Sequence, residues 1–132
     1  MGIRIATSLP DELEALAHEV IGACIEVHKR LGAGLLEGIY SKAVAAELNC
    51  RGVSFESELA IPVMYRGLCL CHHRLDLFVE SRIVVEIKSV ERLLPIHQAQ
   101  VLTYLRLSGA RLGLLLNFNV EVLKQGLRRI VL

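Results

Sequence analysis

The chain has 132 residues, a formal net charge of +1, 53% hydrophobic residues and 22% charged residues. This length suits one domain, residues 1–132, and the dispersed charges argue against intrinsic disorder. The near-neutral charge argues against strongly electrostatic binding of nucleic acid, and no apolar run is long enough to span a membrane. The N-terminus lacks the apolar core of a secretory signal, so we expect a cytoplasmic protein. The high hydrophobic content suggests self-association, and we expect a homodimer.

The first predicted element is a helix that Thr7 or Ser8 caps, with Pro10 near its first turn. Apolar residues recur at helical spacing, so one face of this helix should be buried. Gly32 and Gly34 should end it. The predicted core positions are Leu13, Leu16, Ala17, Val20, Ile21, Cys24, Val27 and Leu31.

A second helix is predicted over about residues 36–49, with Tyr40, Val44 and Leu48 facing inward. Glu37 lies on the same stripe, three residues before Tyr40. Taken alone, Glu37 is explained well by the favourable interaction of an acid with a helix N-terminus.

Three strands should follow, then a helix, a buried strand and a tail that adds a short helix or an edge strand. The predicted ranges are 55–65, 70–79 and 83–88 for the strands, 95–107 for the helix, 112–118 for the buried strand and 122–132 for the tail. The continuous apolar run at 112–118 is typical of a buried parallel strand, reached by a right-handed crossover.

The turn between the second and third strands decides which charged residues face each other. A three-residue turn at 80–82 places Asp76 opposite Glu86 and Arg74 opposite Lys88, whereas a two-residue turn splits the two acids between faces. Like charges directly opposite each other destabilise a sheet, so the first register calls for a compensating cation. We predict that register, with a divalent-metal site and a catalytic lysine.

The main alternative is a charge network without metal, in which Lys88 pairs with Asp76 or Glu86. Glu37 favours the metal interpretation if its helix brings it to the same place, since one lysine cannot neutralise three carboxylates.

The four cysteines allow a weaker interpretation. Cys69, Cys71 and His73 alternate along one strand, but a structural zinc site usually draws ligands from two separated pairs, and no second pair exists. Buried free thiols are the preferred interpretation for all four cysteines.

The order of predicted elements, with Asp76 on one strand and the triplet Glu86-Ile87-Lys88 on the next, resembles the PD-(D/E)xK nuclease superfamily. Gln100 and Tyr104 resemble the QxxxY motif of its RecB-type branch, whereas His97 on the same stripe is expected to be only a first-turn helix residue. The segment 34–40 is similar to the signature of the GxxExxY family within this superfamily, as are the segments 94–105 and 116–119.

The resemblance extends from about residue 15 onward. It implies an α/β restriction-endonuclease-like core, a mixed sheet flanked by helices in αβββαβ order. It also implies a magnesium or manganese ion held by Asp76, Glu86, Glu37 and the carbonyl of Ile87.

By the same resemblance, Asp76, Glu86, Glu37 and Lys88 form the catalytic set. Lys88 positions the attacking water or stabilises the phosphate, and Gln100 and Tyr104 bind the phosphate or brace the site. The implied activity is hydrolysis of phosphodiester bonds in DNA or RNA. Small size and near-neutral charge favour an alternative, a non-catalytic module of this fold that binds nucleic acid or protein in a homo-oligomer or larger assembly.

Overall fold

The protein has an α/β fold in which a mixed five-stranded sheet separates two helices from a third. A computed structural model describes residues 9–132. The helices are α1 (Asp11–Leu31), α2 (Glu37–Cys50) and α3 (Pro95–Ser108), with a 3₁₀ helix at Leu123–Gly126. The strands are β1 (Phe55–Tyr65), β2 (Leu68–Val79), β3 (Ile83–Lys88), β4 (Leu112–Asn117) and β5 (Leu127–Val131).

The strands lie in the order β1-β2-β3-β4-β5, so β3 is central. β3 and β4 are parallel, in register from Ile83 beside Leu112 to Lys88 beside Asn117, and the other pairs are antiparallel. All six residues of β4 are buried, which confirms the predicted buried parallel strand. The tail forms both the short helix and the edge strand that were predicted as alternatives.

Strand periodicity predicts that Ile83, Val85 and Ile87 share one face of β3 and that Val84 lies on the other, and the side chains do alternate between two hydrophobic clusters. Ile83, Val85 and Ile87 pack with α1 and α2, and Val84 packs with α3 on the opposite face. Glu86 and Lys88 alternate with Ile83, Val85 and Ile87 along the strand. Both charged residues therefore lie on the face of the sheet that α3 covers.

Strand periodicity predicts Leu75, Leu77 and Val79 on one face of β2, and this prediction is wrong at Leu75. Leu77 and Val79 pack with α1 and α2, but Leu75 belongs to the cluster beneath α3. Between these residues the β1–β2 ladder is interrupted where Glu58 and Asp76 face each other, and Glu58 has a positive φ of 53°. The irregularity reverses the faces of the strand at Asp76.

β1 and β2 extend beyond the rest of the sheet. β3 pairs only with the last three residues of β2, so residues 60–74 form a two-stranded ribbon. The register shifts near the end of this ribbon, where Leu70 is the additional residue. Four exposed large apolar side chains lie near the tip: Met64, Tyr65, Leu68 and Leu70.

α1 begins at Asp11 directly after Pro10, and the predicted caps Thr7 and Ser8 lie outside the described residues. Most of its predicted core positions are buried or half-buried, but Leu31 is 41% exposed because it lies in the last turn. His28 is buried although the apolar pattern omitted it, since its Nε2 hydrogen-bonds the carbonyl of Val120 at 2.9 Å.

α2 and α3 lie within one or two residues of their predicted bounds, and Tyr40, Val44 and Leu48 are buried as predicted. Gly109 ends α3 with a φ of 78°, a conformation that glycine adopts readily. None of the helices among residues 9–132 has the length and apolar content needed to cross a bilayer.

All four cysteines are free, but only Cys24 is buried. The prediction of buried thiols is therefore wrong for Cys50, at the end of α2, and for Cys69 and Cys71, on the exposed ribbon. Across residues 9–132, no cluster of histidine, cysteine and acidic residues has the geometry of a zinc site.

Candidate active site

The two strand acids face each other across the β2–β3 hairpin. β2 ends at Val79 and β3 begins at Ile83, which confirms the three-residue turn. The pairs Val79–Ile83 and Leu77–Val85 set the register, so Asp76 and Glu86 occupy the next opposed positions.

Side-chain hydrogen bonds replace the ladder at the site. The backbone N–H of Asp76 donates to Glu86 Oε1 at 3.0 Å, and the backbone N–H of Ile87 donates to Asp76 Oδ2 at 2.8 Å. These bonds fix both carboxylates and engage one oxygen of each. The second oxygen of each carboxylate can therefore bind another group.

The predicted opposition of Arg74 and Lys88 is not observed. The β2–β3 ladder stops at Leu77, and Arg74 pairs instead with Ala60 of β1. The guanidinium of Arg74 lies 3.9 Å from the Glu58 carboxylate, and both side chains are exposed. Arg74 therefore belongs to the ribbon and not to the acid pair.

Burial and mutual repulsion disfavour negative charge at this site. Glu86 is only 5% exposed, and burial followed by the negative charge of Asp76 raises its pKa to about 8, against the opposing effect of Lys88. Burial also raises the pKa of Asp76, and the charge of Glu37 adds to this effect. A bound cation would offset these costs.

Glu37 and Asp76 line a common groove of about 240 Å³ between α2 and the β1–β2 pair. Ser41, Lys42 and Glu58 also line this groove. The tertiary structure thus brings an acid from a separate helix into the same groove as Asp76, whereas Glu86 is not among the residues that line it.

The start of α2 is fixed by Tyr40. Its hydroxyl donates to the carbonyl of Gly32 and accepts from the N–H of Leu35 at 3.1 Å, and its ring stacks on Phe118 with centroids 4.6 Å apart. Gly34 has a φ of 103°, which favours glycine. Gly34 and Tyr40 therefore shape the connection that leads into Glu37.

Lys88 ends β3 and is half-buried. It follows Glu86 by two residues and so shares a face of the strand with it, and its charge lowers the pKa of both Asp76 and Glu86. Within the described part of the chain, Lys88 makes no ion pair shorter than 4.0 Å. The alternative of a closed salt bridge to either acid is not observed there.

The two polar residues predicted on α3 differ in environment. Tyr104 is buried, and burial together with the charges of Glu86 and Asp76 raises its pKa, so it lies near the acid pair. Gln100, one turn earlier, is exposed. His97 accepts a hydrogen bond from the N–H of Leu94 at 2.9 Å, a helix-start contact consistent with its omission from the predicted site.

Three residues near the site were absent from the predicted set. Glu58 faces Asp76, the ring of His73 lies 5.7 Å from that of Tyr104, and buried Asn117 hydrogen-bonds the chain after Lys88. A polar residue at the end of an apolar strand was a usable signal for Asn117. Glu58 and His73 carry no such signal, since strands often present polar side chains to solvent.

A family model described as the PD-(D/E)XK nuclease superfamily matches residues 14–130. The chain belongs to this superfamily. Its mixed sheet and element order are consistent with the restriction-endonuclease-like core of PD-(D/E)XK proteins. No curated protein and no solved structure matches the chain.

PD-(D/E)XK proteins typically use divalent cations. Across residues 9–132, no three histidine, cysteine or acidic side chains are close enough together to hold a metal ion. The pair Asp76 and Glu86 nevertheless suits magnesium, which usually binds through one or two carboxylates and leaves its other positions to water and phosphate. Hard carboxylate oxygens, one still available on each acid, are the donors that this ion prefers.

Proposed function

We propose that this protein is a metal-dependent nuclease that hydrolyses phosphodiester bonds of DNA or RNA, and that it belongs to the GxxExxY family within its superfamily. The observation that carries the proposal is the opposition of Asp76 and Glu86, with their carboxylates fixed by backbone N–H groups. The charge of Lys88 acts on both acids, and Lys88 makes no ion pair shorter than 4.0 Å within residues 9–132, so its ammonium group can interact with a substrate.

In this proposal Asp76 and Glu86 bind magnesium or manganese, and the carbonyl of Ile87 adds a ligand. Glu37 is not close enough to both acids to share the ion with them directly, so it acts through a coordinated water. When bound, the ion would lower the pKa of a coordinated water and offset charge on the scissile phosphate. Lys88 orients the attacking water and stabilises the negative charge that develops on the phosphate oxygens.

Tyr104 and Gln100 are proposed to contact the phosphate or brace the site. Tyr104 is buried near the acids and suits the bracing role, because its ring packs against the cluster beneath α3. Gln100 is exposed on the same helix and suits contact with a substrate.

The proposal is tested by titrating magnesium and manganese into wild type and Asp76→Asn, followed by incubation with labelled single- and double-stranded DNA and RNA. We expect wild type to bind metal and cleave at least one substrate, and Asp76→Asn to lose both properties. Glu91→Gln is the matched control, because it removes an exposed acid from the loop after β3. Absence of metal binding by wild type would reduce the acids to a structural charge network.

A second substitution separates catalysis from metal binding. Lys88→Met should abolish cleavage while leaving metal affinity unchanged, because lysine contributes charge to the phosphate and no ligand to the ion. Lys124→Met, at an exposed position of the 3₁₀ helix, is the control. Full cleavage by Lys88→Met would remove Lys88 from the catalytic set.

The alternative function is a non-catalytic module that binds nucleic acid or protein as a homodimer or within a larger assembly. The observation that favours it is the ribbon tip, where Met64, Tyr65, Leu68 and Leu70 are each more than half exposed. Exposed apolar clusters often mark protein interfaces. Sedimentation velocity of wild type and Leu68→Lys tests for the homodimer. We expect wild type to sediment as a dimer and the substitution to weaken that dimer.

The cytoplasmic location stays a prediction from the sequence.

A further inference from the structure

After the end of β3, the side chain of a buried asparagine makes the backbone hydrogen bonds that a neighbouring strand would otherwise make. Asn117 is 2% exposed and lies beside Lys88 in the parallel ladder. Its Oδ1 accepts from the N–H groups of Val90 at 3.0 Å and Asn119 at 3.1 Å, and its Nδ2 donates to the carbonyl of Val90 at 3.0 Å. One side-chain amide therefore satisfies both backbone groups of Val90, as a neighbouring strand would.

The residues that follow Asn117 hold the same segment. The N–H of Phe118 donates to the carbonyl of Lys88 at 2.8 Å, and Asn119 Nδ2 donates to the carbonyl of Val90 at 3.3 Å. The chain is thus fixed at Lys88 itself and two residues later. Because the backbone is fixed at this point, the Lys88 side chain can adopt fewer orientations.

The same segment is tied to the start of α2. Ser89 Oγ donates to the carbonyl of Leu35 at 2.7 Å, and the N–H of Leu35 donates to the hydroxyl of Tyr40. Tyr40 in turn stacks on Phe118. Leu35 lies two residues before Glu37, so β4, the Lys88 segment and the start of α2 form one connected set of contacts.

We propose that Asn117 is a positioning residue that holds Lys88 beside the acid pair. The inference rests on the proposed nuclease function for its kinetic consequence, although the positioning itself is a structural property. Without the amide, Val90 loses two hydrogen bonds, and the segment after Lys88 keeps only the contacts made by Phe118, Ser89 and the exposed side chain of Asn119. The ammonium group then spends less time in the orientation that the reaction needs.

The test compares wild type with Asn117→Ala by kinetics on whichever labelled nucleic acid wild type cleaves. We expect kcat to fall about tenfold or more, while KM and the Kd for manganese stay within about twofold. If Asn117 had only a structural role, the substitution would lower the amount of folded protein, and the kcat of the folded fraction would stay at the wild-type value. Asn49→Ala, which changes an exposed asparagine at the end of α2, is the control and should match wild type.

Asn117→Asp provides a second variant if Asn117→Ala does not fold. Aspartate keeps the shape and both accepted hydrogen bonds but turns an oxygen towards the carbonyl of Val90. We expect its kcat to fall by about threefold or more at unchanged KM. Wild-type kcat in a folded variant of either kind would overturn the positioning role.

A readout without catalysis separates this inference from the proposed function. In Asn117→Ala, the N–H of Val90 should lose protection from hydrogen exchange, and the side-chain NMR signals of Lys88 should shift. These changes in a protein that cleaves no substrate would support positioning while the nuclease proposal fails. Unchanged exchange at Val90 and unchanged Lys88 signals would overturn the inference whatever the activity.

Discussion

Asp76 and Glu86 are linked through the backbone of one residue and the side chain of the other. The N–H of Asp76 donates to Glu86 Oε1 at 3.0 Å, while the carboxylate of Asp76 accepts from the next peptide, at Ile87, at 2.8 Å. Two like-charged groups are thereby held together in a half-buried to buried environment. The fold keeps them close at an electrostatic cost that is relieved by a proton or a cation.

This cost predicts an unusual pH dependence of stability for the metal-free protein. The pKa of Glu86 rises from 4.5 to about 8 on folding, chiefly through burial, so the folded state retains a proton that the unfolded state releases. The free energy of unfolding should therefore fall as pH rises between those two values.

Glu86→Gln should remove most of this dependence, and the remainder comes from Asp76, whose pKa burial also raises. At about pH 9 we expect the variant to be more stable than wild type by on the order of a few kcal/mol, and at about pH 4 the two should be similar. Urea unfolding without divalent metal at both pH values measures the difference. Glu91→Gln is the exposed control. Equal stability of Glu86→Gln and wild type at the higher pH would contradict the raised pKa.

Tyr40 should contribute to stability through its hydroxyl as well as its ring. Tyr40→Phe keeps the stacking on Phe118 but removes the hydrogen bonds to Gly32 and Leu35, so we expect a loss of about 1–2 kcal/mol. Tyr40→Ala also removes the buried ring and should cost about 3–5 kcal/mol. Chemical denaturation measures both. A Tyr40→Phe variant as stable as wild type would show that water replaces these contacts at no cost.

Two glycines should respond to alanine in opposite directions. A Cβ at Gly126 would lie 2.2 Å from the carbonyl oxygen of Asn117, a backbone atom, so Gly126→Ala should destabilise the protein by about 1–3 kcal/mol or more. A Cβ at Gly38, within α2, meets nothing within 4 Å, and Gly38→Ala should stabilise by roughly 0.5–1 kcal/mol. Thermal and urea unfolding of both variants measures these changes. A Gly126→Ala variant as stable as wild type, or a Gly38→Ala variant less stable than wild type, would contradict the prediction.

The cysteines should fall into two reactivity classes. Burial raises the pKa of Cys24 to about 12, whereas Cys50, Cys69 and Cys71 are exposed. A colorimetric thiol reagent should therefore modify the three exposed residues in the native protein and Cys24 only after unfolding. Cys24→Ala should leave the modification rate of the three exposed cysteines in the native protein unchanged. Rapid modification of Cys24 under native conditions would contradict its burial.

Local signals in the sequence were sufficient for most of the fold. The bounds of α2 and α3 and the parallel strand β4 follow from hydrophobic period and glycine positions. The three-residue hairpin turn follows from the expectation that a bound cation compensates for two acids placed opposite each other. The errors lie where local periodicity is overridden. The reversal of faces between Leu75 and Leu77 depends on the backbone of Glu58 in the neighbouring strand.

The sequence by itself determined the acid pair, since alternation and turn length are properties of adjacent residues. Only the tertiary structure decided that Glu37 shares a groove with Asp76, and that Asn117 holds the segment after Lys88. Those relations join residues 27 or more positions apart, so they depend on how helices and strands pack and not on any local period. The side-chain geometry of the site is therefore set by packing, whereas the identity of its two central acids is already present in the hairpin.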